Sequence, residues 1–425
     1  MGLSSTRSSG AIQLMHENFN IAELIKKINN KSSDDIKRDH FPIEAMASAE
    51  GQSLRLDYLN KETGKTLEFL SGKKVFTDTK MLEGNIENYI GMTQIPTGII
   101  GPLKVLGTSA EGDFFVPLAT SEGALVASYH RGAKATRLSG GITSICLTEA
   151  VQRSPVFKFN NIGDLGTFLI WALPQMEEFK KITERTSRYA KLIDVIPNIE
   201  GNNLIITFEY RTGDASGQNM VTICTDEICK FLIENTPIQP VFWFIEGNYS
   251  GDKKATALSF TTVRGKKVTA EVELPKEVVE RVLKTNPTRM ADYWQTSTMG
   301  IIQSGAIGAQ GHFANGIAAL FLATGQDVAC VSEAAVGITR MEVTTSGNLY
   351  ASVTLPNLIV GTVGGGTSLP TQRDCLELMD CYGDGKARKL AEICGALVLS
   401  GELSIAAALE AGHFSSAHKK LGRKK

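Results

Sequence analysis

The segment EGNYSGDKK at residues 246–254 places an amide, two acids and two adjacent lysines on a stretch that Gly247 and Gly251 keep out of regular helix or strand. A loop of this composition is either solvated surface or the lining of a site that handles anions. Glu122 is the only charged residue in residues 114–129. An apolar setting raises a carboxyl pKa and suits a general acid, while the plainer reading is a glutamate held by N–H groups at a helix start. Asp327 ends LATGQD (residues 322–327), after an apolar helical run. A half-buried acid there needs a cation, for which Lys253 and Lys254 are the chemical candidates; a surface aspartate at a helix end is the alternative. Asp214 lies in RTGDASGQNM (residues 211–220), between Gly213 and Gly217 and before a helical pattern. Backbone N–H groups there could hold an anionic or dinucleotide ligand, or form an ordinary capped turn; G-x-G-x-x-G is not present. His418 ends GHFSSAH (residues 412–418) and either closes over a site as a proton donor or sits in a solvated tail. The run GTVGGGTS (residues 361–368) either approaches a ligand backbone-first or lets helices pack closely.

Positioning these groups requires several elements. Hydrophobic spacing predicts helices over 20–30, 43–56, weakened by Gly51, and 124–137, with Thr120 or Ser121 as cap. Residues 87–102 form a Gly/Pro-punctuated apolar segment. From 156 the pattern reads strand (156–159), helix kinked at Pro174 (163–182), strands (189–197 and 203–210), helix (219–234) and strand (241–245). That β-α-β-β-α-β order is the split, ferredoxin-like pattern. A hairpin is expected around Arg264-Gly265 and another at residues 343–355, turned at 346–348. Residues from 276 onward are largely helical and rich in small residues, and 373–411 read as a run of helices. The fold class is α+β, with a helical N-terminal part, a large domain with long central helices and an inserted ferredoxin-like domain.

At 425 residues the chain exceeds one ordinary core. Its net charge of −1 implies no general attraction to nucleic acid or anionic membrane. Seven scattered cysteines without CxxC pairing read as reduced thiols of a cytoplasmic protein, with no metal site. No uninterrupted apolar run is long enough for a transmembrane helix, and the Ser-rich start lacks a signal-peptide core.

Taken in order, the blocks at 87–103, 117–134, 211–220, 247–254, 312–327, 361–368 and 409–418 resemble the 3-hydroxy-3-methylglutaryl-coenzyme A (HMG-CoA) reductase family. The resemblance is closest to soluble prokaryotic-type members that carry the Gly-Asn-Tyr-x-x-Asp-Lys-Lys loop. It implies reduction of HMG-CoA to mevalonate and free CoA with two NADPH, NADH being possible, for isoprenoid biosynthesis. It also implies a homodimer or homotetramer with the active site at the subunit interface, and no metal. By the same resemblance the catalytic residues are Glu122, Lys253, Asp327 and His418. Cofactor contacts fall on Ser187, Arg188, Asp214, Gly217, Gln218 and Asn219. Substrate contacts fall on Arg153, Asn248, Asp252, Lys254 and Asn315, and coenzyme A contacts on Ser128, Arg131, Lys134 and His312. The implied boundaries are an N-terminal region (1–86), a large substrate domain (87–153 with 256–425), an inserted small cofactor domain (154–245) and a catalytic loop (246–255). The chain departs from the family where Glu246 replaces a Ser that contacts the substrate's free carboxylate, where Gln295 lies near an expected Lys, where Ala124 replaces a Cys, and in the cofactor loop. Rival readings are NAD-dependent mevalonate oxidation and a silent coenzyme A-binding regulator.

Overall fold

The computed structural model describes residues 21–31, 41–42 and 47–412. Helix α1 (Ile21–Asn29) falls where the spacing predicts it. Helix α2 (Ala49–Thr63) begins later than expected, because Ser48 caps it by accepting a hydrogen bond from the Gly51 N–H at 3.1 Å. Next comes a hairpin, β1 (Thr97–Gly107) with β2 (Glu111–Ala119), where the sequence shows only punctuated apolar residues. Helix α3 (Leu125–Leu138) has no side-chain cap; Ala124 stands before it at φ 71°. Thr120 instead accepts from the Glu122 N–H at 3.0 Å, so the expected cap serves the preceding turn.

Strand β3 (Ile142–Arg153) joins two sheets. Its first half pairs with β1 in parallel and with β8 (Gly265–Leu274) antiparallel. Strand β10 (Leu349–Leu358) joins the other edge of β8 and carries β9 (Ile338–Val343) in a hairpin. The second expected hairpin is therefore present with longer arms. The one expected around Arg264-Gly265 is not. Residues Ala257–Phe260 make a single 3-10 turn, and β8 takes its partners from β3 and β10.

The smaller sheet grows from the far end of β3. It contains β4 (Val156–Lys158), β5 (Lys191–Glu200), β6 (Asn203–Arg211) and β7 (Phe242–Phe244), in the antiparallel order β7-β4-β6-β5. Helices α4 (Ile162–Ala172) and α5 (Met176–Thr186), divided at the 3-10 turn Leu173–Gln175 that holds Pro174, lie between β4 and β5. Helix α6 (Gln218–Asn235) lies between β6 and β7. The β-α-β-β-α-β succession is thus observed. Its core is aromatic and self-contained, with Phe157, Phe168, Phe179, Phe208 and Tyr210 buried together.

The larger core is organised by α10 (Ala387–Glu410), packed against β3, β8, β10 and α3. By length and mean hydropathy α10 could cross a membrane, but 94% of its most apolar window is buried inside the fold, as suits a central core helix. Of its three acids, Glu392 and Glu402 are buried and hydrogen-bonded. Glu392 accepts from the Ser109 and Ala110 N–H groups and from Thr108, which fastens the β1–β2 turn. Three further helices complete the layer: α7 (Pro287–Ser304), α8 (Phe313–Thr324) and α9 (Pro370–Leu378).

Candidate active site

The 246–254 loop leaves β7 at the junction of the two sheets. Asn248 and Lys253 adopt left-handed backbone, at φ 62° and 57°. Such conformations persist in non-glycine residues only when the surroundings hold them. Here the Lys253 N–H donates to Glu333 Oε1 at 3.2 Å. Glu333 is wholly buried and faces Arg264 Nη1, while Arg264 Nη2 reaches Asp252 Oδ1 at 2.7 Å. On the other side Asp252 Oδ2 lies 3.3 Å from Arg153 Nη1, which also holds Glu246 Oε2 at 3.0 Å. A chain of alternating charges, Glu246–Arg153–Asp252–Arg264–Glu333, therefore fixes the loop from beneath. Each charge buried in it is paired, as burial requires. Arg264 and Glu333 are not found by sequence reasoning; a lone buried Arg next to a glycine carries no local signal of its role.

The result is that Lys253 projects outward and its Nζ meets Asp327 Oδ2 at 2.9 Å. The hydrogen bond to Asp327 raises the Lys253 pKa, so the ammonium persists beyond the ordinary lysine range. Asp327 also caps the following turn through the Ala329 N–H, at 3.0 Å. Asp327 is exposed at the helix end rather than half-buried, and of the two candidate lysines it pairs with Lys253. Lys254 turns its Nζ to the Asp252 carbonyl at 2.9 Å.

Glu122 is exposed, not enclosed in apolar surroundings as its sequence context suggests. Its Oε2 accepts from Asn315 Nδ2 at 2.6 Å. Asn315 lies in the first turn of α8 and Asp327 just past its last. A helix of that length spans about 18 Å, so the two pairs stand at opposite ends of α8. Among the described residues no hydrogen bond or ion pair joins Glu122 to Lys253 or Asp327. His418 lies outside the described residues.

The remaining predicted residues form two further groups. Ser128 and Arg131 on α3 both bind Ser404 of α10, at 2.9 and 3.0 Å, with Lys134 exposed one turn on. His312 stacks on Tyr129 with ring centroids 5.2 Å apart, and its Nδ1 lies 3.2 Å from Glu402. Burial alone would raise the Glu402 pKa, but His312, Thr339 and the Gly311 N–H hold it below the usual range. The second group surrounds the start of α6. Gly217 at φ 82° precedes the helix, where a Cβ would strike Thr212. Gln218 donates to Cys330 Sγ at 2.7 Å, and Asn219 is exposed. Asp214 is a cap: its carboxylate accepts from the Gly385 and Ala387 N–H groups at 2.7 and 3.0 Å, at the head of α10. Asp214 therefore caps neither its own turn nor α6, whose N-cap is Gly217 without a side-chain hydrogen bond. Ser187 accepts from the Tyr189 and Ala190 N–H groups, and Arg188 is exposed beside the Tyr189 ring. Gln295 is exposed on α7. Among the described residues no cluster of His, Cys, Asp and Glu could hold a metal ion.

A family model described as hydroxymethylglutaryl-coenzyme A reductase matches residues 52–423. The 3-hydroxy-3-methylglutaryl-coenzyme A reductase of Pyrococcus horikoshii is 41% identical over 416 residues, covering 96% of this chain and 99% of its own. That of Methanocaldococcus jannaschii is 40% identical over 412 residues, covering 96% and 100%. Among solved structures, a class II 3-hydroxy-3-methylglutaryl-CoA reductase from Streptococcus pneumoniae bound to NADPH shares the fold. Its TM-score is 0.68 at 19% identity, with 85% of this chain and 99% of that one covered.

Proposed function

The chain belongs to the hydroxymethylglutaryl-coenzyme A reductase family, and from that premise we propose that it reduces HMG-CoA to mevalonate and free CoA with two equivalents of NADPH. The observation that carries this reading is the Lys253–Asp327 pair, an ammonium held outward on a braced loop. Thioester reduction builds negative charge on the carbonyl oxygen twice, once for the thioester and once for the aldehyde. Lys253 donates to that oxygen, and Asp327 keeps it charged and aimed. Glu122, oriented by Asn315, supplies the proton for the alcohol. His418 protonates the departing thiolate.

The chain's residues fit a dinucleotide. The first-turn N–H groups of α6, behind Gly217, are free to meet phosphate oxygens, and Arg188 is exposed for a 2′-phosphate. When bound, the nicotinamide supplies the hydride. Asp214 serves the site indirectly, by fastening the cofactor loop to α10. Coenzyme A runs along α3, past Ser128, Arg131, Lys134 and His312, while Arg153, Asn248, Asp252 and Lys254 receive the acyl end. Residues 154–245 act as the inserted cofactor domain and 87–153 with 256–425 as the substrate domain, which the two separate cores support.

The enzyme works as a homodimer or higher homo-oligomer with the site between copies. Two observations support this. The Glu122–Asn315 and Lys253–Asp327 pairs are held apart along α8, and Ile86, Tyr89, Ile90, Met92 and Ile95 form an exposed apolar segment on one chain. Oxidation of reduced nicotinamide, followed by absorbance with HMG-CoA and each cofactor, tests the reading. NADPH consumption with mevalonate as product is expected; no thioester-dependent oxidation with either cofactor would reject it.

A further inference from the structure

Glu246 is fully engaged at the acyl end of the site. Its Oε2 lies 3.0 Å from Arg153 Nη1, accepts from Ser250 Oγ at 2.9 Å and stands 3.5 Å from the Ser154 N–H; its Oε1 accepts from the Tyr249 N–H at 3.1 Å. Its side chain is only 22% exposed and that of Arg153 9%. The same Nη1 also meets Asp252. Two guanidinium groups, Arg153 and Arg264, thus face three carboxylates, Glu246, Asp252 and Glu333. Among the described residues Lys254 is the nearby cation with no carboxylate partner. A ligand carboxylate arriving here meets an arginine already neutralised by the chain's own acid, and must displace Glu246 or share Arg153 with it. The Arg153 Nε–H, buried without an acceptor, is a spare donor on a guanidinium that Glu246 turns toward the loop.

We propose that Glu246 is a specificity-determining residue. It competes with the substrate's distal carboxylate for Arg153 and so reduces the preference for a carboxylate-ended thioester over one ending in an uncharged group. This rests on the reading above that Arg153 and Lys254 receive the acyl end. The HMG thioester carries a free carboxylate and its 3-hydroxy-3-methylbutyryl counterpart a methyl group, so the pair isolates that one charge.

The test compares kcat/KM for the two thioesters in the unaltered enzyme, Glu246→Gln and Glu246→Ser. Glu246→Gln keeps an oxygen for the Tyr249 N–H, and the amide NH2 in place of Oε2 can donate to Ser250 Oγ, whose hydroxyl rotates to accept, so the loop keeps both internal contacts. Freeing one charge-assisted hydrogen bond is expected to raise the HMG to hydroxymethylbutyryl ratio about tenfold, through KM for the HMG thioester alone. Adding Arg153→Ala should abolish the gain. An unchanged ratio, or equal loss with both thioesters, would overturn the proposal and make Glu246 a loop anchor only. Calorimetric binding of free 3-hydroxy-3-methylglutarate and 3-hydroxy-3-methylbutyrate reads the same preference without turnover. Tighter binding of the first acid alone in Glu246→Gln supports the proposal, and equal change in both rejects it. If neither thioester is reduced by any form, the proposed function falls, while the binding comparison still judges Glu246.

Discussion

Lys253 and Lys254 carry the same charge on adjacent residues, yet their surroundings separate them. Lys253 has a left-handed backbone, an N–H held by buried Glu333 and an ammonium on Asp327, whereas Lys254 folds back on its own loop. Loss of an oxyanion donor costs about 2.7–4 kcal/mol in the transition state. Lys253→Ala should therefore lower kcat by about 100- to 1,000-fold with KM little changed, and Lys254→Ala should chiefly raise KM. Steady-state kinetics of both variants will show an inverted pattern if the assignment is wrong by one residue. The pH dependence follows from the same pair. Asp327 raises the Lys253 pKa, so the protonated, active form survives beyond the ordinary lysine value of about 10.4 and is lost only as pH climbs through the raised one. Asp327→Asn removes the cause, and the alkaline limb of the kcat profile should move to lower pH. An unmoved limb would mean that Lys253 does not control it. That Asp327 pairs with one of the two loop lysines was legible in the sequence, but which lysine was not, and the half-burial expected of Asp327 is absent. The brace beneath the pair was not legible. Arg264 meets Glu333 from 69 positions away and Arg153 meets Glu246 from 93, and no local spacing encodes such pairs.

Helix α3 must bring Ser128 and Arg131 against α10, and it can do so only because Gly132 lets the Ser400 carbonyl approach; a Cβ there would overlap that backbone oxygen. Backbone cannot yield as a flexible side chain can, so Gly132→Ala should destabilise the fold by about 1–3 kcal/mol. Denaturant titration will test this, and an unchanged midpoint would contradict the close packing. At the start of the same helix Ala124 sits at φ 71°, two residues from Glu122. Left-handed backbone costs a non-glycine residue about 1–3 kcal/mol, so Ala124→Gly should recover part of that in the same titration. The elements differed in legibility. The β-α-β-β-α-β succession could be read because each of its elements has its own period and breakers. Strand β3 could not. It is covered on both sides over much of its length as it passes between two sheets, so its sequence lacks the alternation that marks a strand with one wet face. The hairpin expected at Arg264-Gly265 failed for a related reason. Turn residues mark a bend, but partners for β8 come from β3 and β10, far away in sequence.

At the scale of the molecule, one chain holds its acid and its lysine at opposite ends of α8 and leaves the Ile86–Ile95 region bare. Sedimentation or light scattering should give a mass that is a multiple of 45.9 kDa. Ile90→Asp, placing a charge on a fully exposed apolar position, should reduce both that mass and the turnover. Loss of oligomer with full activity would place the site within one chain. The central claim is a four-electron reduction, in which the thioester passes through an aldehyde that is itself reduced. It is tested most directly by counting, in one reaction, NADPH consumed by absorbance against CoA thiol released by a thiol reagent. The account predicts two NADPH per thiol with mevalonate as the product. One NADPH per thiol with aldehyde accumulating, or thiol release without NADPH oxidation, would contradict it.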